Sequence, residues 1–367
     1  MGTLVEDLRT LIECESPSHD LEAVRRSADV VSDVGAALFG IAPERIERDG
    51  RSHVRWLFGT PRVLVLAHHD TVWPRGTLDR IPFSNDGSTI RGPGCFDMKA
   101  GLAMALHAVS QLEERDGVCV LVTGDEEIGS PSSRSLIEET ARGCDAVLVL
   151  EAAAPGGALK IARKGVSLYR VIITGRAAHA GLEPHKGINA SVEAAHVMLH
   201  IVGLADDGAG TTVVPTVITG GTTTNTVPAH AEFAVDVRVR TLAEQDRVDS
   251  AIRAIAATLP GALITIEGGP NRPPMEESAA QSLFERAQRV AAELGHAPLT
   301  AVAVGGASDG NFTAGLGVPT LDGLGAVGDG AHAEHEHVDV AMMASRTALL
   351  RELIHDILHN RGGHRDS

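Results

Sequence analysis

The sequence predicts an α/β fold: a mostly parallel sheet with helices on both faces, interrupted by an inserted α+β layer. Three observations predict it. Short, continuously apolar runs at Val63–Ala67, Val118–Val122 and Ala146–Leu150 read as strands buried on both faces. Stretches of helical spacing lie between them, at about 97–113 and about 131–142, and such alternation implies βαβ units. From about residue 166 the pattern changes to one-sided alternation, which marks an antiparallel sheet covered on one face only.

Taken in order, residues 3–12 and 18–38 show helical spacing of Leu, Val and Ala ahead of the first buried strand. Beyond the third, Val166–Thr174 alternates apolar and polar residues, and a helix follows at about 188–203. Alternating strands at about 211–219 and 230–240, a helix at about 243–258 and a strand at about 262–267 complete the inserted layer. The segment Gly268-Gly269-Pro270-Asn271-Arg272-Pro273-Pro274 reads as the linker back. A final helix is expected at about 339–359. The boundaries follow: a discontinuous catalytic domain, 1–165 and 274–367, and an inserted domain, 166–273. A chain of 367 residues suits two cores better than one.

Composition narrows the function. The hydrophobic fraction is 43% but aromatics are only 3%, so the cores are built from aliphatic residues. A net charge of −16 repels phosphate backbones, and nucleic acid is not expected as a partner. No stretch approaches 18 uninterrupted apolar residues, so no membrane span is expected. The first eight residues lack a basic n-region and an apolar h-region, and the four Cys form no C-x-x-C pair. Buried free thiols in a cytoplasmic protein are the expectation.

The chemistry lies at the strand ends. His68-His69-Asp70 follows the first buried run, Asp125-Glu126-Glu127 the second, and Glu151 the third. Ligands of open α/β sheets bind beyond the carboxyl ends of strands, so these side chains would converge. Asp97, after Gly92-Pro93-Gly94, and His332, after Gly330-Ala331, are further candidates. Each has a plainer reading: Asp97 as a helix N-cap, Glu126-Glu127 as a solvated first turn, His68 as a structural histidine, Asp70 as a loop cap. Together they form a mixture of imidazole and carboxylate that suits a pair of divalent ions, Zn, Co or Mn rather than Ca or Mg. That many carboxylates in one crevice would repel one another without cations.

The motifs extend over nearly the whole chain: His68-His69-Asp70-Thr71-Val72, Gly92-Pro93-Gly94-Cys95-Phe96-Asp97-Met98-Lys99-Ala100-Gly101, Asp125-Glu126-Glu127-Ile128-Gly129-Ser130 and Glu151. Gly175-Arg176-Ala177-Ala178-His179-Ala180-Gly181, Asn225-Thr226-Val227-Pro228, Asp236-Val237-Arg238, Gly305-Gly306-Ala307-Ser308-Asp309 and His332-Ala333-Glu334-His335-Glu336 continue them. In their order and spacing they resemble the zinc-dependent exopeptidase and deacylase family of bacterial glutamate carboxypeptidase, succinyl-diaminopimelate desuccinylase, acetylornithine deacetylase and aminoacylase. Glutamate carboxypeptidase is the nearest match in pattern.

The resemblance implies two metal ions, most simply zinc, held by His68 and Glu151 on one side and Glu127 and His332 on the other, with Asp97 bridging. It implies Glu126 as general base, Asp70 behind the His68 imidazole, and a cis peptide at Asp97-Met98. His179 would stabilise the oxyanion from a partner subunit, in a homodimer formed through the inserted domain acting also as a lid. Arg238 would take the substrate carboxylate, with Arg272, Asn225 and Gly306 as further contacts, and hinges are expected at Gly165 and Gly268-Gly269. The activity implied is cleavage of an amide next to a free carboxylate in a small peptide or N-acyl amino acid. An N-acyl-amino-acid deacylase is the alternative within the enzymes, and a catalytically inactive binding protein is the alternative outside them.

Overall fold

A computed structural model describes residues 2–360. The chain divides into two compact units: 1–162 with 276–304 and 308–367, and 163–275 with 305–307.

The first unit is built on a six-stranded sheet in the order Glu44–Arg48, Arg51–Phe58, Val118–Thr123, Val63–His68, Ala146–Val149, Thr320–Leu321. The last four run parallel to one another, and the first two form an antiparallel hairpin on the edge. Register explains why the central strands are apolar throughout. Leu64 and Leu66 stand beside Cys119, Leu121, Val147 and Val149 on one face, where they pack with Leu136, Ile137 and Phe312. The alternate residues, Val63, Val65, Val118, Val120 and Leu148, are equally buried on the other face, toward the helices Ala100–Ser110 and Val340–His359. Burying each such aliphatic side chain contributes roughly 1.5–3 kcal/mol. Among the described residues no helix is long and apolar enough to cross a membrane, and all four cysteines are free thiols.

The second unit is a four-stranded antiparallel sheet in the order Thr212–Gly220, His230–Val239, Gly165–Thr174, Leu263–Arg272. Its inward residues, among them Val171, Ile173, Phe233, Val235 and Val237, pack with Val197 and Ile201 of the helix Ala190–Val202 and with Val248 and Ile252 of Leu242–Arg253. Glu193 is fully buried there, and its two oxygens accept the backbone N–H groups of Thr258 and Leu259, both at 2.7 Å.

The segment expected as a linker proves to be strand. Leu263–Arg272 is continuous, with Gly268 opposite Tyr169 and Gly269 opposite Leu168. Gly268 has φ +82°, and a Cβ there would stand 2.2 Å from the Leu168 carbonyl oxygen. Gly268 answers a close backbone approach inside a paired strand, a Cβ on Gly269 would meet the Arg253 guanidinium instead, and both positions are paired rather than free. Gly165 is likewise paired, with Val239.

Candidate metal centre

Sheet polarity places the chemistry. The parallel strands end at His68, Thr123 and Val149, so His68 and the residues that follow each strand, Asp125–Glu127 and Glu151, emerge at one edge. His68, Glu126 and Glu151 each offer a ligand atom within 4.8 Å of the others, as do His68, Asp97 and Glu127. The helix carrying the next motif is pressed close to this edge. A Cβ on Gly101 would lie 2.0 Å from the carbonyl oxygen of Leu150, the residue before Glu151, so only glycine permits the approach.

Asp97 is not an N-cap. It lies in the distorted turn Cys95–Lys99, where Asp97 and Met98 leave helical geometry, and the regular helix begins at Ala100. The Asp97–Met98 peptide is cis. His332 adopts φ +63°, a left-handed conformation costing a non-glycine residue about 1–2 kcal/mol. Glu126 and Glu127 open a single 3-10 turn, Glu126–Ile128, rather than a solvated helix, and Glu126 is buried.

The distances fall into two sets that share Asp97. His68 Nε2 stands 3.5 Å from Asp97 Oδ1 and 3.6 Å from Glu151 Oε1. His332 Nε2 stands 3.3 Å from Asp97 Oδ2 and 3.1 Å from Glu127 Oε2. Ligands about 2.0–2.1 Å from one tetrahedral ion lie about 3.3 Å from each other, so both sets have the spacing of a cation's coordination shell. Two buried atoms, His68 Nε2 and Glu127 Oε1, have no hydrogen-bond partner among the described residues. Left so, each costs about 1–3 kcal/mol, and a cation would satisfy both.

The electrostatics agree. Burial opposes a charge on His68, but Asp70, Asp97 and Glu151 prevail and hold its pKa well above the ordinary imidazole value. Burial, with the charge of Asp97, pushes Glu127 up to about 7. Hydrogen bonds to Asp97 and Glu127 push His332 up to about 10. These are two views of one excess of negative charge: imidazoles gain protons, and a carboxylate resists losing one. Divalent cations would neutralise it.

Asp70 is fully buried behind the cluster. The Nδ1–H of His68 meets the Asp70 carbonyl oxygen at 3.0 Å, with Asp70 Oδ1 at 3.4 Å. The carboxylate also accepts the Ser18 hydroxyl at 2.7 Å and the N–H groups of Glu126 and Glu127, both at 3.2 Å. One residue thus orients an imidazole, through its carbonyl and its carboxylate, and anchors both glutamates. Burial works against its charge, but His68 and Ser18 keep its pKa below the usual carboxylate range. Ser18 carried no signal in the sequence, and Glu336 stood in the His332–Glu336 motif without a role.

The other candidates lie in the second unit. Exposed His179 pairs with Thr226 in a two-stranded ladder, its Nδ1 accepting from the Gly181 and Leu182 N–H groups at 3.1 Å. The Ala180 N–H donates to the Asn225 carbonyl at 2.9 Å, so His179 and Asn225 share one locality. Arg238 and Arg272 both sit opposite Val166, on the two strands that flank it. Arg238 makes a fork to Asp236, Nε–Oδ1 2.7 Å and Nη2–Oδ2 2.8 Å. Gly306 clusters with this unit rather than with the first, and its carbonyl accepts from Arg163 Nη1 at 3.0 Å.

Comparison with known proteins agrees with this architecture. Residues 64–356 match the model of peptidase family M20/M25/M40. Carboxypeptidase G2 of Pseudomonas sp. (strain RS-16) is 33% identical over 312 residues, 82% of this chain and 74% of that protein. Succinyl-diaminopimelate desuccinylase of Methylorubrum extorquens (strain PA1) is 28% identical over 379 residues, 91% of this chain and 97% of that one. Among solved structures, aminopeptidase PepT from Bacillus cereus ATCC 10987 superposes with a TM-score of 0.73 at 22% identity, covering 97% of this chain and 98% of that one, and so shares the fold. The chain belongs to peptidase family M20/M25/M40 and is a hydrolase of that family.

Proposed function

We propose that this hydrolase uses two zinc ions to cleave an amide bond next to a free carboxylate, as a carboxypeptidase of the glutamate-carboxypeptidase type. The observation that carries the metal reading is the pair of ligand sets meeting at the two oxygens of Asp97. His68 and Glu151 would hold one ion, Glu127 and His332 the other, and Asp97 both. Bound there, zinc supplies Lewis acidity toward a carbonyl oxygen and lowers the pKa of water to roughly 7. A donor set of imidazole and carboxylate suits zinc, with cobalt or manganese as substitutes.

The residues do the rest. Glu126 takes the proton of the attacking water and passes it to the departing amine, a role worth about 10²–10⁴-fold. Asp70 keeps the His68 Nδ1 protonated, so that Nε2 presents its lone pair. His179, with Asn225 beside it, would donate to the developing oxyanion. Arg238 and Arg272 would take the substrate carboxylate with planar guanidinium forks, Arg238 exchanging Asp236 for it, and the Gly306 backbone would line the same substrate. The 163–275 segment would act as lid and dimerisation domain. Its edge strand Thr212–Gly220 exposes Val214, Val217 and Ile218, an open apolar edge that suits pairing with a second copy.

N-acyl-amino-acid deacylation is the second reading, favoured by the desuccinylase among the relatives. Both chemistries present a carboxylate beside an amide. The test is a hydrolysis panel on zinc-reconstituted protein: peptides ending in glutamate, N-acetyl and N-succinyl amino acids, and the same compounds amidated at the carboxylate. Cleavage of the acids and not of the amides is expected. Equal cleavage of both would remove the carboxylate requirement, and the preferred acid separates peptidase from deacylase.

A further inference from the structure

Glu336 stands four residues after His332 and is only 2% exposed, yet nothing in the hydrolytic chemistry uses it. Its Oε1 accepts the backbone N–H groups of Phe96 at 2.9 Å and Asp97 at 3.0 Å. Its Oε2 accepts the N–H of Gly94 at 2.9 Å and the indole Nε1–H of Trp73 at 2.8 Å. Four donors converge on one side chain, and none can accept. Only an ionised carboxylate meets all four; an amide in its place would set N–H against N–H.

The donors belong to two different ligand-bearing segments. Gly94, Phe96 and Asp97 form the turn that carries the shared carboxylate, and Trp73 closes the loop that begins at His68 and Asp70. Glu336 is tied to the third segment through its own backbone, its N–H donating to the Ala333 carbonyl at 2.9 Å. One buried carboxylate therefore joins the segments of His68, Asp97 and His332, which supply four of the six ligand atoms described above and keep them in place only if the segments stay in register.

We propose, resting on the reading of this cluster as a metal centre, that Glu336 is its positioning residue: it fixes Asp97 between His68 and His332, so that zinc affinity depends on a side chain that touches no ion. A site of this kind must be held to within about 0.5 Å, and loss of a partner behind the ligands typically lowers metal affinity about 10–100-fold. Glu193 provides the contrast. It is as buried and also accepts backbone N–H groups, but it binds no segment that bears a ligand.

The experiment compares full-length wild type, Glu336→Gln, Glu336→Asp and Glu193→Gln. Zinc affinity is measured by competition with a chromophoric chelator, zinc content by elemental analysis, and stability by the melting temperature of metal-free protein. Glu193→Gln is expected to melt lower yet bind zinc as wild type does. Glu336→Gln is expected to bind zinc about 10–100-fold more weakly and to recover turnover in excess zinc, with Glu336→Asp in between. Wild-type affinity in both Glu336 variants overturns the positioning role, whatever their melting temperatures; if Glu336→Gln does not fold, Glu336→Asp decides. Wild type that binds no zinc overturns the metal centre itself, a different result from an intact centre indifferent to Glu336.

Discussion

The two units handle polar side chains in opposite ways. In the first, His68, Asp70, Glu126 and Glu151 are buried at the ends of parallel strands, only His332 of the cluster being exposed among the described residues, and the acids are fastened from behind: Asp70 by Ser18 and two glutamate N–H groups, Asp97 through its backbone by Glu336. In the second, the candidates stand on a one-sided antiparallel sheet or its loops, His179 and Asn225 exposed and Arg238 paired with its neighbour Asp236. Groups held rigidly in a site screened from water suit ion binding and bond breaking, where misplacement is costly. Groups at the surface suit recognition, where they exchange one partner for another. The first unit should therefore fail by losing metal or chemistry, and the second by losing affinity for substrate or for a second copy.

The largest expected effect lies in the first unit. Glu126→Gln should retain two zinc ions and lose about 10²–10⁴-fold in kcat, whereas Glu127→Gln should lose zinc; elemental analysis beside kinetics separates the two. If both variants keep full metal and activity, the division of labour between adjacent glutamates is wrong.

Next comes Arg238→Ala. A charged hydrogen bond of about 1.5–3 kcal/mol corresponds to roughly 10–150-fold in kcat/KM, expressed mainly in KM, with zinc content unchanged. A fall in zinc content instead would break the contrast between the units.

The third prediction concerns pH and the fold behind the metal site. Burial pushes His69 down to about 4, against the opposing charge of Asp70, while the unfolded imidazole titrates near 6.5. The unfolded chain therefore binds the extra proton between those values. The stabilisation is complete above about 6.5, is lost as pH falls toward 4, and amounts to roughly 3 kcal/mol. Urea midpoints of metal-free protein measured from pH 7.5 to 4.5 should fall along this window, and His69→Gln should flatten the slope.

The smallest effect on chemistry is expected at the second unit's edge. Val217 is 70% exposed on the Thr212–Gly220 strand. Val217→Lys should shift a dimer toward monomer in analytical ultracentrifugation with little change in melting temperature. A wild-type chain that sediments as a monomer at all concentrations would remove this interface.

Local signals served best where every residue of an element agreed. The runs at Val63, Val118 and Ala146 are apolar because both faces of the parallel sheet are covered, and they were legible for that reason. The edge hairpin was not: Glu44–Arg48 is a run of charges around one isoleucine, and only its pairing with Arg51–Phe58 makes it a strand. Gly268-Gly269-Pro270 carries every mark of a loop, yet cross-strand pairing with Gly165–Thr174 overrides the local preference.

By itself the sequence determined which residue types stand at strand ends, because the periods of strand and helix are written in the order of side chains. From that came the convergence of His68, Glu126, Glu127 and Glu151, and, with the motifs, the place of Asp97 and His332. Only the tertiary structure decided which oxygen of Asp97 faces which histidine, that Asp70 anchors both glutamates, and that Glu336 joins three ligand segments. Those relations are contacts between residues up to 263 positions apart. Periodicity constrains direction along a chain, but distance across a fold is set by how its elements pack.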